Sequence, residues 1–132
     1  MKKPRWIDVR ALLLLHAESL AEHGGLAGLR DENALHSALA RPQHVFNHEP
    51  DSDLSRLAAA YGFGLIRDHP FNDGNKRAGF LAILLFLDLN RFELRVGQVE
   101  AIQVILKVAA GEMRESELAD WIRTHLRRAP KS

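Results

Sequence analysis

The chain contains no cysteine, which rules out disulfides and thiol chemistry and permits a reducing cytosol. It has almost no net charge. Its 18 basic and 17 acidic residues leave a formal +1, so nothing pulls the molecule as a whole toward nucleic acid or an anionic membrane. Long apolar runs are missing too. Ala78 to Leu87 covers ten residues, well short of the roughly 20 that a bilayer-spanning helix needs, and reads as a core helix. The basic start, Met1 to Trp6, is followed by Asp8, Arg10, His16 and Glu18. These break up the apolar stretch that a secretory leader requires, so a cytoplasmic location is expected. There is no G-x-x-x-x-G-K-[S/T] loop, no third glycine to complete Gly62-x-Gly64 as a dinucleotide fingerprint, and no H-E-x-x-H pair. Any nucleotide therefore binds outside those modes.

Against these absences stands one dense stretch, residues 69 to 77, which read H-P-F-N-D-G-N-K-R. It gathers an imidazole (His69), a carboxylate (Asp73), a glycine (Gly74), an amide (Asn75) and two cations (Lys76, Arg77), with the apolar run directly behind. This is the pattern of a turn feeding the N-terminus of a buried helix, where free backbone N–H groups and the positive end of the helix dipole bind an anion. Gly74 lets the backbone approach a ligand, and Lys76 and Arg77 supply charge of the kind that grips phosphate. A carboxylate there would repel an anion unless a divalent cation lay between them, which points to Mg²⁺ held by Asp73. Histidine is the one residue type in the set that titrates near neutrality, so His69 is the natural proton acceptor. The parts suit phosphoryl or nucleotidyl transfer.

The run resembles the signature of the Fic/Doc family, whose Fic branch reads H-P-F-x-[D/E]-G-N-G-R-x-x-R. The match holds through Asn75 and again at Arg77, while Lys76 replaces a glycine and Phe80 the second arginine. Both departures are those of the Doc (death-on-curing) branch, H-x-F-x-D-[A/G]-N-K-R. Gly24 to Gly28, the Leu-Ile-Arg run before Asp68, Leu85 to Asn90 and Ala109 to Glu112 also look Doc-like, so the likeness covers nearly the whole chain. The resemblance implies a toxin of a type II toxin–antitoxin pair that moves the γ-phosphate of ATP, or another nucleoside triphosphate, onto a Ser/Thr hydroxyl of a protein. The best-known Doc target is elongation factor Tu, and its modification halts translation. In that scheme His69 is the general base and Asp73 holds Mg²⁺. Gly74 and Asn75 form the anion-binding turn, Lys76 and Arg77 neutralise the transferred group, and Phe71 is an apolar plug. The Fic branch's inhibitory run, [S/T]-x-x-x-E-[G/N], does not occur, so inhibition is expected from a separate antitoxin, with the toxin a monomer on its own. Two other readings stand beside this one: transfer of AMP, as Fic enzymes perform, and a catalytically silent binding module.

The rest of the chain reads as all-α, a compact six-helix bundle forming one domain over residues 1–132 around a buried central helix. Asp8 is the expected N-cap for a helix over about 9–23 stopped by Gly24, and Asp31 caps a short helix ending before Pro42. Residues 41–53, with two prolines, read as an irregular loop or flap that aligns a target peptide by analogy with the family. Helices follow over about 54–67, 75–90, 98–110 and 117–128, the last capped by Ser116. Phe92, Leu94 and Val96 alternate as in a short strand. Gly62 and Gly64 allow a neighbouring helix to approach closely. His44 and His48 stand at metal-bridging spacing but fall in the expected loop. His16, His23, His36 and His125 need no function. Trp6 and Trp121 read as packing residues, and the basic ends (Lys2, Lys3, Arg5; Arg127, Arg128, Lys131) as frayed, solvated termini rather than a nucleic-acid site.

Overall fold

The computed structural model describes residues 3–130. Its elements run α1 (Val9–His23), α2 (Glu32–His48), α3 (Leu54–Asp68), α4 (Asn75–Leu89), β1 (Phe92–Leu94), α5 (Gln98–Ala109), α6 (Glu115–His125) and β2 (Leu126–Arg128). The first three helices start at aspartates whose carboxylates accept backbone N–H groups: Asp8 from Arg10 (2.8 Å), Asp31 from Ala34 (3.0 Å) and Asp53 from Arg56 (2.9 Å). Each satisfies one of the orphan donors of a first turn.

α3 is the most enclosed helix and packs against α2, α4 and α6. Leu57, Ala58, Ala59, Ala60, Tyr61, Leu65 and Ile66 are all fully buried along it. It meets α4 through glycines. A Cβ on Gly79 would lie 2.5 Å from Ile66 Cγ1 and 3.0 Å from the Gly62 carbonyl oxygen, and one on Gly62 would lie 2.5 Å from Ile83 Cδ1. The close approach expected of Gly62 is this crossing, while Gly64 faces Ala38 of α2 at 3.5 Å. Two helices locked at this crossing bring the C-terminus of α3 to the N-terminus of α4, and the motif is the turn that joins them. The central helix α4 buries Ala78, Gly79, Ala82, Ile83, Phe86 and Leu87. Along one side Phe80 and Leu84 are only half-buried and wall a cleft.

Three expectations change. α2 does not end before Pro42 but runs through it to His48. The ring removes an N–H and disfavours helix in the preceding residue, at a cost of about 3 kcal/mol. Tertiary packing overrides that cost, because Leu35, Ala38 and Pro42 are buried together on one face of α2 and Arg41 pairs with Glu115 of α6. Residues 41–48 are therefore helical, and only residues 49–53 are irregular. α6 begins at Glu115 rather than beyond Ser116, with the Glu117 carboxylate accepting the Arg114 N–H at 2.9 Å. It also ends early, because Leu126–Arg128 pairs antiparallel with Phe92–Leu94. Arg127 and Arg128 thus form a strand, with the Arg128 guanidinium 5.7 Å from the Phe92 ring centre, and are not frayed. Lys3 and Arg5 are exposed, and Lys2 and Lys131 lie outside the described residues. Trp6 packs against Phe46 and Phe86, and Trp121 donates its indole N–H to Glu100 at 2.7 Å.

Candidate active site

The turn is built from its own side chains outward. His69 caps α3 in the left-handed region (φ 50°, ψ 58°), and Pro70 leads to Phe71, which is 1% exposed. The Asn75 side chain then closes the turn. Its Oδ1 accepts the Phe71 N–H at 2.9 Å while its Nδ2 donates to the Phe71 carbonyl at 3.0 Å. The Asn75 amide is thus spent on the turn, and what Asn75 could still offer an anion is its backbone N–H in the first turn of α4. Gly74 precedes that turn at φ 78° and offers no side-chain cap, so the leading N–H groups of α4 remain available to a ligand.

His16 of α1 supports the turn from beneath. It is 5% exposed, stacks on Phe71 with ring centres 3.6 Å apart, and places Nε2 2.8 Å from the Asp73 carbonyl oxygen. A Cβ on Gly74 would come within 3.3 Å of that Nε2. Phe71 is the plug expected from the sequence, whereas His16 was expected to be idle. The signal was present: His16 follows Leu12 by four and precedes Leu20 by four, on the apolar stripe of α1.

The outer face of the turn is covered by the Gly24–Arg30 segment. The Asp73 Oδ2 accepts the Leu26 N–H at 2.7 Å. Asn72 donates its backbone N–H to the Gly28 carbonyl (3.0 Å) and its amide to the Ala27 carbonyl (3.0 Å). Leu29 forms an antiparallel bridge with Phe71. Gly25, at φ 126°, has space for only a hydrogen, since a Cβ there would lie 3.2 Å from the Asp73 Cβ.

His69, Asp73, Gly74, Asn75, Lys76 and Arg77 all line one end of a single cleft of about 760 Å³. Every site residue read from the sequence is therefore brought together. Asp73 is the sole carboxylate on the lining, and the far end is apolar, formed by Phe80, Leu84, Leu94, Ile102 and Ile105. Lys76 and Arg77 are exposed and make no ion pair among the described residues. With the α4 dipole they outweigh the single Asp73 carboxylate at this end of the cleft. No group of three or more His, Asp or Glu side chains that could hold a metal occurs among the described residues. One carboxylate fits Mg²⁺ held chiefly by substrate phosphates and water, not a cage made by protein alone. His44 and His48 do lie on a helix, but His48 Nδ1 is 2.9 Å from the His44 carbonyl oxygen.

A sequence model described as the Fic/DOC family matches residues 6–87. The chain belongs to the Fic/DOC family. It is similar to "Protein kinase doc" of Escherichia phage P1, with 32% identity over 119 residues, covering 90% of this chain and 94% of the relative. It is also similar to "Toxin Doc" of Mycolicibacterium smegmatis, with 39% identity over 82 residues, covering 61% of this chain and 62% of the relative. Both relatives carry the Doc name, in keeping with the lysine and phenylalanine at positions 76 and 80. No helix among the described residues is long and apolar enough to cross a membrane.

Proposed function

We propose that the chain is a Doc-type toxin that transfers the γ-phosphate of ATP, or another nucleoside triphosphate, to a Ser/Thr hydroxyl of a protein, with elongation factor Tu as the target to test first. The observation that carries this reading is the convergence of His69, Asp73, the uncapped α4 N-terminus and two cations without an ion pair among the described residues at one end of one cleft. His69 accepts the proton of the attacking hydroxyl as its oxygen bonds to the γ-phosphorus. The bond from that phosphorus to the β,γ-bridging oxygen breaks, and the nucleoside diphosphate leaves. The N–H groups after Gly74, together with Lys76 and Arg77, stabilise charge spreading over the transferred group. Asp73 would hold Mg²⁺, which when bound neutralises phosphate charge.

Lys76 and Phe80 decide which phosphate sits over the turn. Lysine fills the space that the Fic pattern leaves to glycine, and Phe80 brings an apolar ring to the cleft wall where that pattern has a cation. Both favour a nucleotide bound with its γ-phosphate, not its α-phosphate, over Gly74 and Asn75. The apolar end of the cleft continues into exposed Ile102 and Leu106 of α5, the surface we assign to a cognate antitoxin. The test is incubation of the protein with Mg²⁺, purified elongation factor Tu or cell lysate, and ATP labelled at either the γ or the α position. Label from γ supports the proposal. Label from α means AMP transfer, and label from neither means a silent binding module.

A further inference from the structure

We propose that Arg30 is a positioning residue that sets both backbone angles of His69 and so points its Cα–Cβ bond toward the cleft. The inference rests on His69 being the base of the transfer proposed above. His69 is one of only two non-glycine residues with positive φ among the described residues. Its conformation is disfavoured twice: a side chain in the left-handed region is strained, and the proline that follows pushes its predecessor toward extended backbone. Strain of this kind persists only where the surroundings impose it.

Arg30 imposes it. Its Nε donates to the His69 carbonyl at 2.6 Å, and its Nη2 donates to the Asp68 carbonyl at 2.8 Å. These oxygens belong to the two peptide planes that flank the His69 Cα. The plane bearing the Asp68 oxygen defines φ of His69, and the plane bearing the His69 oxygen defines ψ. One rigid guanidinium fork therefore pins both angles. The fork is itself anchored, because the Arg30 and Asp31 N–H groups both donate to the Pro70 carbonyl, at 2.8 and 3.1 Å. The imidazole makes no hydrogen bond among the described residues, so what the fold fixes is the direction of the His69 Cα–Cβ bond, which the backbone sets and from which the ring reaches the cleft. A cation at the C-terminus of α3 also suits the helix dipole. Lysine would serve that purpose equally well, whereas its rotatable ammonium cannot hold two carbonyls in the fixed planar geometry of the guanidinium fork.

Arg30 is exposed, so its replacement opens no cavity. The experiment compares wild type, Arg30→Ala and Arg30→Lys by NMR and by transfer kinetics. In the alanine variant the His69 Cα shift and its HN–Hα coupling should leave their left-handed values. Those of Phe71 and Asn75, which hold each other, should stay. The rate constant kcat should fall roughly 10- to 100-fold with the KM for ATP little changed, as for a misaimed catalytic group. Arg30→Lys should resemble alanine in both readouts. It also carries the test if the alanine variant fails to fold, since it keeps the charge and the aliphatic stem. His69 signals unmoved in either folded variant would overturn the inference. Signals that move in a protein without γ-phosphate transfer would leave the positioning role standing and remove the phosphotransferase reading instead.

Discussion

His69 is exposed and its ring is bonded to nothing else among the described residues, which separates its chemistry from its contribution to stability. Replacing it by alanine should lower transfer by roughly 10²- to 10⁴-fold while moving unfolding free energy by no more than about 0.5 kcal/mol. Parallel label-transfer assays and urea melts check the two halves. Asp73 differs, because one of its oxygens is structural. In Asp73→Asn the amide oxygen can still accept the Leu26 N–H, so the Gly24–Arg30 segment should remain in place and only the charge is lost. The variant should need a higher Mg²⁺ concentration for nucleotide binding, read by titrating the metal at fixed ATP. An unchanged Mg²⁺ dependence would show that the phosphates hold the ion without it. At this scale the sequence was most informative for the residues that carry charge or titrate. It was least informative for the neighbours that place them. Arg30 and Leu26 lie in a glycine-rich loop without periodicity, and their bonds go to residues some 40 positions away.

At the level of helices, the α3–α4 crossing decides where the turn sits. Gly79→Ala puts a methyl 2.5 Å from Ile66 Cγ1 and 3.0 Å from the Gly62 oxygen, in a place where a backbone atom cannot step aside. The expected cost is about 1–3 kcal/mol, measured by denaturant unfolding, with a loss of transfer as the two helix ends separate. A melt equal to wild type would mean that the helices can slide apart without harm to the core. The starts of α1 and α2 were legible because aspartate caps act within three residues of their own position, whereas the start of α6 was not. Nor was the passage of α2 through Pro42. Local chemistry argues for a stop there, and the contacts that overrule it come from α3 and α6.

Over the whole molecule, charge pairs tie the C-terminal half back to the early helices. Glu115 of α6 bridges Arg41 of α2 and Arg56 of α3, and Arg123 binds both oxygens of Asp53 at 2.7 and 3.0 Å. The Arg123 hydrogen bonds hold the Asp53 carboxyl below its usual 3.8, against the opposing effect of partial burial. A carboxyl depressed in the fold favours folding while ionised in both states, and that contribution disappears as pH falls through the lowered value. Asp53→Asn keeps a competent N-cap and removes the charge. It should therefore melt below wild type at neutral pH, by the equivalent of about 0.2–1 kcal/mol given that the pair is half exposed. The gap should close below about pH 4. Thermal melts of both proteins from pH 7 to pH 2.5 measure it, and a gap constant with pH would assign the difference to capping instead of charge. The Tyr61 hydroxyl, pushed up to about 12 chiefly by burial, accepts the Ile7 N–H at 3.1 Å. It anchors the segment before α1 in the same core.

What could be read without coordinates was whatever depends on neighbours in the chain: the helical periods, the aspartate caps, and the nine-residue run whose spacing alone places an imidazole, a carboxylate and two cations around a helix N-terminus. The tertiary structure decided everything that depends on distant partners. It continued α2 past its proline, because burial of one face outweighs a lost hydrogen bond. It drew the Gly24–Arg30 segment over the turn, because the Asn72 and Asp73 side chains and the Pro70 carbonyl bond to it. It set His16 beneath Asp73, and it gave Arg30 the two carbonyls on either side of His69. Sequence spacing specifies which groups a helix end presents. Their direction comes from hydrogen bonds across the fold, which close only once the helices have packed.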